Sequence, residues 1–163
     1  MNPENPPGNE PWITKEGFLD STRFPIDGVL KHALSDDDRV FRSGLRVLRL
    51  MSHEGRIEAG VFLLGPLVNC DDNWEKRITI VEAMKFIKTK PCADLLFSEL
   101  KRVKSSNTTR RYLATVIEAL SSMPTELIEE GFRSLAEDSS FSPKMREKFR
   151  AVLEKRLFGN QRW

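Results

Sequence analysis

The fold of this chain is decided by the stretch NWEKRITIVEA at residues 73–83, whose pattern recurs along the sequence. Its arginine, Arg77, has equivalents at Arg42, Arg111 and Arg146, and successive arginines are 35, 34 and 35 residues apart. The apolar residues three and six positions after each arginine are Leu45, Ile80, Ala114 and Phe149, then Leu48, Ala83, Ile117 and Val152. A fixed period of this length with an apolar stripe at helical spacing predicts stacked helix pairs.

A short polar residue stands four positions before each of these arginines: Asp38, Asn73, Asn107 and Ser142. Such side chains can cap a helix by accepting a hydrogen bond from a backbone N–H of its first turn. Pro143 follows Ser142, and a proline in the first helical position leaves no N–H unsatisfied there. The second helices of the pairs are therefore predicted at about 39–52, 74–88, 108–121 and 143–157.

The first helices have weaker signals and are predicted at roughly 26–34, 57–69, 92–104 and 125–137. Gly65-Pro66 predicts a kink in the second of them, because proline removes one backbone hydrogen bond and clashes with the preceding turn. No segment alternates between apolar and polar residues with a period of two, as a half-buried strand would. The sequence predicts an all-α fold, a short right-handed solenoid of about four helix pairs.

The second helices resemble those of the HEAT-repeat family of armadillo-like helical proteins. RITIVEAM at residues 77–84 and RYLATVI at 111–117 are similar to the family's Arg-x-x-Ala-x-x-Ala-Leu core, and Pro66 is similar to its first-helix proline. The resemblance covers about residues 25–158. Leu45 and Phe149 depart from it, because the family usually has a small residue there. The resemblance implies an α-solenoid whose second helices line a concave surface.

In HEAT repeats the second-helix arginine commonly pairs with an aspartate in the preceding turn, and successive pairs form a ladder. The resemblance therefore implies a structural ladder here, in which a guanidinium bridges a carboxylate and helix-end carbonyls. Ser105 and Ser140 occupy the aspartate positions before the last two arginines, so the ladder is incomplete. Its predicted members are Arg42, Arg77, Arg111 and Arg146, with Asp36 and Asp71 as acidic partners.

A basic block interrupts the repeat at residues 85–111, which hold eight Lys/Arg and two Asp/Glu. A turn between two predicted helices brings together its candidate binding cluster: Lys101, Arg102, Lys104, Arg110 and Arg111. These cations would lie near the N–H groups that begin a helix, a natural place for phosphate or carboxylate. Three interpretations stay open: a solvated surface, contact with a nucleic-acid backbone, or contact with an acidic partner protein.

Prolines and charge divide the chain into three predicted regions: a flexible N-terminal arm over 1–23, one HEAT-like domain over 24–158 and a C-terminal tail over 159–163. No apolar run approaches the ~20 residues of a membrane span. Cys70 and Cys92 are predicted to be reduced thiols of a cytoplasmic protein. Apolar residues at the C-terminal end, Leu157, Phe158 and Trp163, predict either a covering tail or a homodimer through the terminal helices.

The sequence contains no Gly-rich phosphate loop and no nucleophile–base motif, and His32 and His53 lack metal-ligand spacing. We therefore expect no catalytic residue, cofactor or metal. The predicted function is a non-catalytic scaffold that binds a protein or peptide on its concave face. The alternative is nucleic-acid binding through residues 101–111. In that case Trp74, with Asp71 or Asp72, would have a role similar to that of the aromatic and acidic residues on the concave face of solenoid DNA glycosylases.

Overall fold

The computed structural model describes residues 15–16, 26–54, 59, 66–67 and 70–158. The described part of the chain is helical and contains no strand, so the predicted all-α class is confirmed. Its helices are α1 (Ile26–Ala33), α2 (Asp38–His53), α3 (Trp74–Met84), α4 (Lys90–Arg102), α5 (Arg110–Ser121), α6 (Thr125–Glu137) and α7 (Pro143–Phe158).

Several predictions from the sequence fall outside the described residues. They are the arm over 1–23 apart from residues 15–16, the tail over 159–163, and most of the first helix predicted at 57–69, including Gly65 of its predicted kink. The helices that are described belong to two compact units, one ending at Phe86 and one beginning at Ile87. The first unit holds α1–α3 and the second holds α4–α7, where the sequence predicts one domain over 24–158.

In the first unit, α1 packs on α2, and α2 packs on α3. The two helices α1 and α2 approach closely at Gly44, since a Cβ there would lie 2.5 Å from the backbone nitrogen of Ala33. Most of the apolar stripe predicted from the repeat is core in this unit: Leu45, Leu48 and Ile80 are buried, and Ala83 is half-buried. Glycine at position 44 therefore lets α1 and α2 pack closely.

In the second unit, α4 packs on α5 and on α6, and α6 packs on α7. Phe132 lies edge-on to Phe97, with ring centroids 5.1 Å apart. Phe149 has its centroid 6.2 Å from that of Phe132 and lies edge-on to Phe141 at 5.3 Å. These contacts explain why position 149 holds a large residue: the phenylalanine is fully buried among other aromatic rings.

Two of the four predicted helix caps are confirmed. Asn73 Oδ1 accepts a hydrogen bond from the backbone N–H of Lys76 at 3.2 Å, and Ser142 Oγ accepts one from Met145 at 3.2 Å. At α2 the cap is Asp37, one residue before the position in the periodic pattern, since its carboxylate accepts from Val40.

The cap predicted at Asn107 is wrong, because hydroxyl groups organise the turn before α5. Thr109 Oγ1 donates to the carbonyl of Lys104 at 2.6 Å and accepts from the backbone N–H of Ser106 at 2.9 Å. Asn107 Oδ1 instead accepts from Arg110 Nη2 at 3.2 Å. The helix α5 begins directly after this turn, and Arg110 is its first residue.

Candidate functional site

Arg77 is buried, with 5% of its surface exposed. Its Nη2 donates to the carbonyl of Cys70 at 2.8 Å, and its Nε donates to the carbonyl of Asp71 at 3.2 Å. The carboxylate near its Nε is that of Asp72, at 3.8 Å, where the ladder predicts the carboxylate of Asp71. Arg77 therefore ties the start of α3 to the turn before it through two backbone carbonyls, with the Asp72 carboxylate nearby.

Arg42 occupies the equivalent position in α2 but is exposed. Its Nε lies 2.9 Å from Oδ2 of Asp38, and the two side chains are 57% and 75% exposed. The partner is Asp38 rather than the predicted Asp36, because Asp38 lies one helical turn earlier on the same face, whereas Asp36 precedes the capping residue. An exposed pair of this kind contributes little to stability.

The two remaining periodic arginines, Arg111 and Arg146, differ from each other in burial. Arg111 is exposed on α5, and Arg146 is half-buried on α7. The Nε of Arg146 is buried without a hydrogen-bond partner among the described residues. The four arginines that repeat in the sequence thus differ in burial, from buried Arg77 to exposed Arg42 and Arg111.

Two arginines outside the period bind carbonyl groups at or just after the ends of helices in the second unit. Arg150 Nη2 donates to the carbonyl of Ala136 at 3.2 Å, near the end of α6. Arg156 Nη2 donates to the carbonyl of Met123, which follows α5. In α7, Arg150 and Arg156 therefore make the contacts with helix-end carbonyls that the ladder predicts for Arg146.

Arg102, a member of the predicted basic cluster, is neutralised by a buried carboxylate. Its Nε and Nη2 lie 2.9 Å and 3.0 Å from Oε1 and Oε2 of Glu99, which is 6% exposed. Tyr112 donates its hydroxyl to Oε2 of Glu99 at 2.5 Å. The Tyr112 hydrogen bond joins α4 to α5, and the charge of the exposed Arg102 guanidinium is balanced by Glu99, which makes Arg102 a weaker candidate ligand for an external anion.

All five members of the cluster are exposed, but two of them line different clefts. Lys101 lines a cleft of about 480 Å³ between α4 and α6, together with Glu126 and Glu130. Arg110 lines a groove between α5 and α7. The structure therefore divides the predicted anion site between two clefts, with Lys104 and Arg111 also at the surface.

That second cleft, the α5–α7 groove, is the best candidate site. It has a volume of about 350 Å³, and its floor is formed by Leu113, Ala114, Ile117, Met145, Ala151 and Val152. The polar residues that line it are Ser105, Arg110, Glu118 and Lys148. An apolar floor with a few polar groups is typical of binding pockets.

The groove exposes residues that the repeat predicts to be core. Ala114 stands three residues after its arginine and is exposed, while Ile117 and Val152 stand six residues after theirs and are half-buried. The small side chains of Ala114 and Ala151 leave space between the two helices. Two alanines on the helix faces that line this groove are the sequence signal that could have located it.

The charge around the groove is predominantly positive. Arg110 has Asn107, an uncharged residue, as its side-chain partner. Lys148 belongs to α7, which carries six Lys/Arg and two Glu. Glu118 is the acidic residue of the lining and stands two turns along α5 from Arg110.

A cluster of acidic residues in the second unit lies elsewhere, along α6. A wide cleft of about 870 Å³ is lined by Glu126, Glu129, Glu130, Arg133, Ser134, Glu137 and Asp138. Hydrogen bonds from the side chain and backbone of Ser140, with Lys101 and Arg146 nearby, hold the pKa of Asp138 below its ordinary value of 3.8. In the described ranges no three His, Cys, Asp or Glu side chains are grouped to hold a metal ion.

Both cysteines are free thiols. Burial raises the pKa of Cys92 to about 12. Burial also raises the pKa of Cys70, although Arg77 and Lys76 act in the opposite direction. The thiols are therefore protonated at neutral pH, a state that is poorly nucleophilic.

Among the helices described here, none combines the length and apolar character that crossing a bilayer requires. Leu157 is partly exposed near the end of α7, while Trp163 and the side chain of Phe158 lie outside the described residues, so the homodimer stays a prediction. Comparison of the chain with protein-family profiles, with curated proteins and with solved structures finds no match, and the resemblance to HEAT repeats rests on the sequence pattern.

Proposed function

We propose that the protein is a non-catalytic scaffold of the HEAT-like type that binds a protein or peptide in the α5–α7 groove. The observation that carries this proposal is that Ala114, which is exposed where Leu45, Ile80 and Phe149 are buried, lines the groove together with the half-buried Ile117 and Val152. In a HEAT-like arrangement α5 and α7 are second helices, the elements that line the concave surface.

The physical argument is the free energy of hydrating apolar surface. Each Å² of apolar surface removed from water contributes about 25 cal/mol, so a partner that covers the floor of the groove gains affinity. The groove's volume of about 350 Å³ lies within the range of small binding pockets. Its charged groups line an otherwise apolar floor, which suits the burial of apolar side chains better than proton transfer.

Nucleic-acid binding through residues 101–111 has less support. Arg102 is paired with Glu99, and Lys101 and Arg110 line different clefts, so these residues do not present one continuous cationic stripe. Trp74, the candidate stacking residue, is half-buried with the Arg77 guanidinium 5.9 Å from its ring. A mobility shift of a labelled duplex or single strand that weakens steeply with salt would favour this alternative.

The test of the proposed function is a selection of peptides that bind the groove. A displayed library of random peptides is selected on the full chain, and enriched peptides are measured against Ala114→Trp. Because Ala114 is exposed, the indole fills the groove without displacing the core. We expect the enriched peptides to lose binding to this variant.

The matched control is Ser43→Trp, which adds the same side chain at an exposed position of α2 in the first unit. We expect it to bind the peptides as the unchanged chain does. Peptides that bind Ala114→Trp with undiminished affinity, or a selection that enriches none, would contradict the proposal.

A further inference from the structure

We infer that the partner of the α5–α7 groove is an acidic amphipathic helix, whose apolar face lies on the floor of the groove and whose carboxylates contact Arg110 and Lys148. This inference rests on the proposed function and names the partner of the same site. It follows from the walls of the groove, from its length and from the charges that line it.

The walls favour a helical partner over an extended one. Both walls are α-helices, whose backbone N–H and C=O groups are used within the helix except at its ends. An extended peptide would therefore find few backbone partners, whereas a helix satisfies its own backbone groups. The groove offers apolar contact rather than an edge for strand addition.

The dimensions agree with a short helix. Arg110 and Glu118 lie eight residues apart on α5 and bound the lined wall. At 1.5 Å per residue this wall is about 12 Å long, which corresponds to about two turns of a bound helix. Two turns present apolar side chains at positions i, i+3, i+4 and i+7, the usual anchors of a helix in a groove.

The charges select acidic side chains around those anchors. Lys148 has no ion-pair partner within the described part of the chain, and the side-chain partner of Arg110 is neutral Asn107. Arg110 also begins α5, where the helix dipole adds positive potential. Since Glu118 stands at the other end of the wall, we expect the partner's carboxylates to lie toward the Arg110 end.

A second copy of this chain is a poorer occupant. Its acidic helix, α6, turns its apolar residues Ile128, Phe132 and Leu135 into its own core. The exposed side of α6 therefore offers carboxylates without the apolar anchors that would fill the groove. A separate helix that carries both features fits better.

The test uses three fluorescein-labelled peptides of about 16 residues with one common leucine face and Glu, Gln or Lys at the flanking polar positions. Fluorescence anisotropy measures their binding to the full chain. We expect the Glu peptide to bind about tenfold more tightly than the Gln peptide, since two ion pairs of 0.5–1 kcal/mol each give that ratio. The Lys peptide should bind most weakly.

Charge reversal then assigns the contacts. Arg110→Glu and Lys148→Glu should each remove most of the preference for the Glu peptide. Lys101→Glu, the matched control, reverses an exposed lysine of the same unit that lines the other cleft, and should leave the preference unchanged. Circular dichroism confirms that each variant is folded as the unchanged chain is.

The outcomes separate the two proposals. If the Gln peptide binds as tightly as the Glu peptide and Ala114→Trp abolishes both, the groove binds peptides but the acidic partner is wrong. If none of the peptides binds in an Ala114-dependent way and the library selection also fails, the proposed function itself is wrong. Self-association in sedimentation that Ala114→Trp abolishes would identify a second copy as the occupant and overturn the inference.

Discussion

Arg77 and Arg42 show how burial decides what a repeated residue does. Both are arginines in the first turn or two of a second helix, one buried among carbonyls and one exposed beside Asp38. Arg77→Ala leaves the carbonyls of Cys70 and Asp71 without their donor, and we expect the free energy of unfolding to fall by about 1–3 kcal/mol. Arg42→Ala should lower it by less than about 1 kcal/mol.

Thermal or urea unfolding of the two variants measures this difference. The ladder implied by the resemblance predicts similar losses at both positions, whereas the contacts predict unequal ones. Equal losses would therefore support the ladder and contradict the assignment from burial.

Glu99 is the second residue whose role depends on burial, because its carboxylate would be costly without its partners. Tyr112→Phe removes the hydroxyl that donates to Oε2 and leaves the rest of the ring in place. A hydrogen bond to a charged group contributes about 1.5–3 kcal/mol, so we expect a loss of that size in the free energy of unfolding.

The control for Tyr112→Phe is Ser121→Ala, which removes a hydroxyl that donates to the carbonyl of Glu118 at a less buried position of the same helix. Urea unfolding should show a change of less than about 0.5 kcal/mol for this control. Equal effects of the two substitutions would mean that the buried carboxylate does not depend on Tyr112.

Asp138 gives a prediction for pH. Hydrogen bonds from Ser140 lower the pKa of its carboxyl in the folded chain below 3.8, so the ionised form stabilises the fold. This contribution is present above about pH 4 and is lost as the pH falls through the lowered pKa. Ser140→Ala should raise the pKa of Asp138 toward 3.8 in an NMR titration of the side-chain carboxyl resonance. An unchanged titration would show that the nearby cations cause the shift.

At the scale of helices, the sequence predicts where a helix lies better than it predicts where the helix ends. α6 lies at the predicted 125–137, and α7 begins at the predicted Pro143, since periodicity and proline are local signals. α3 ends at Met84, four residues before its predicted end. Phe86 follows in a turn, exposed, with the Arg49 guanidinium 4.3 Å from its ring, a contact between elements that no local pattern reveals.

The sequence does not predict the α5–α7 groove, for a similar reason. Of the apolar stripe on α5 and α7, Ala114, Ile117 and Val152 line the groove, whereas Phe149 is buried in the core. Whether a stripe is covered depends on the distance between two helices, which small residues such as Ala114 and Ala151 influence. Likewise, Glu99 and Arg102 are three residues apart in the sequence, but that spacing does not reveal that Glu99 is buried and bonded to Tyr112 of the next helix.

Close helix packing predicts that alanine lowers stability at one glycine of the first unit and raises it at another. Gly44→Ala places a methyl group against the backbone of His32 and Ala33, so we expect α1 and α2 to separate and stability to fall. Gly28→Ala, in α1, meets no atom within 4 Å and should raise stability by up to about 1 kcal/mol, because alanine favours the helix. Melting temperatures that move in the same direction for both variants would contradict this account of the α1–α2 contact.

At the scale of the molecule, the two compact units predict that the second one is sufficient for binding. Residues 87–163 contain α4–α7, the aromatic contacts around Phe132 and every residue that lines the groove. A segment of roughly this length buries about 60% of its unfolded surface and is marginally stable alone. Its buried aromatic cluster and the Glu99–Tyr112 hydrogen bond supply the long-range contacts that such a unit needs.

We therefore expect a fragment of residues 87–163 to be helical by circular dichroism, to melt cooperatively and to bind the Glu peptide with an affinity close to that of the full chain. The matched fragment with Ala114→Trp should melt similarly but lose the peptide, because position 114 is exposed. A fragment that folds without binding would place essential contacts in the first unit. A fragment that does not fold would show that the second unit's core is incomplete without residues before Ile87.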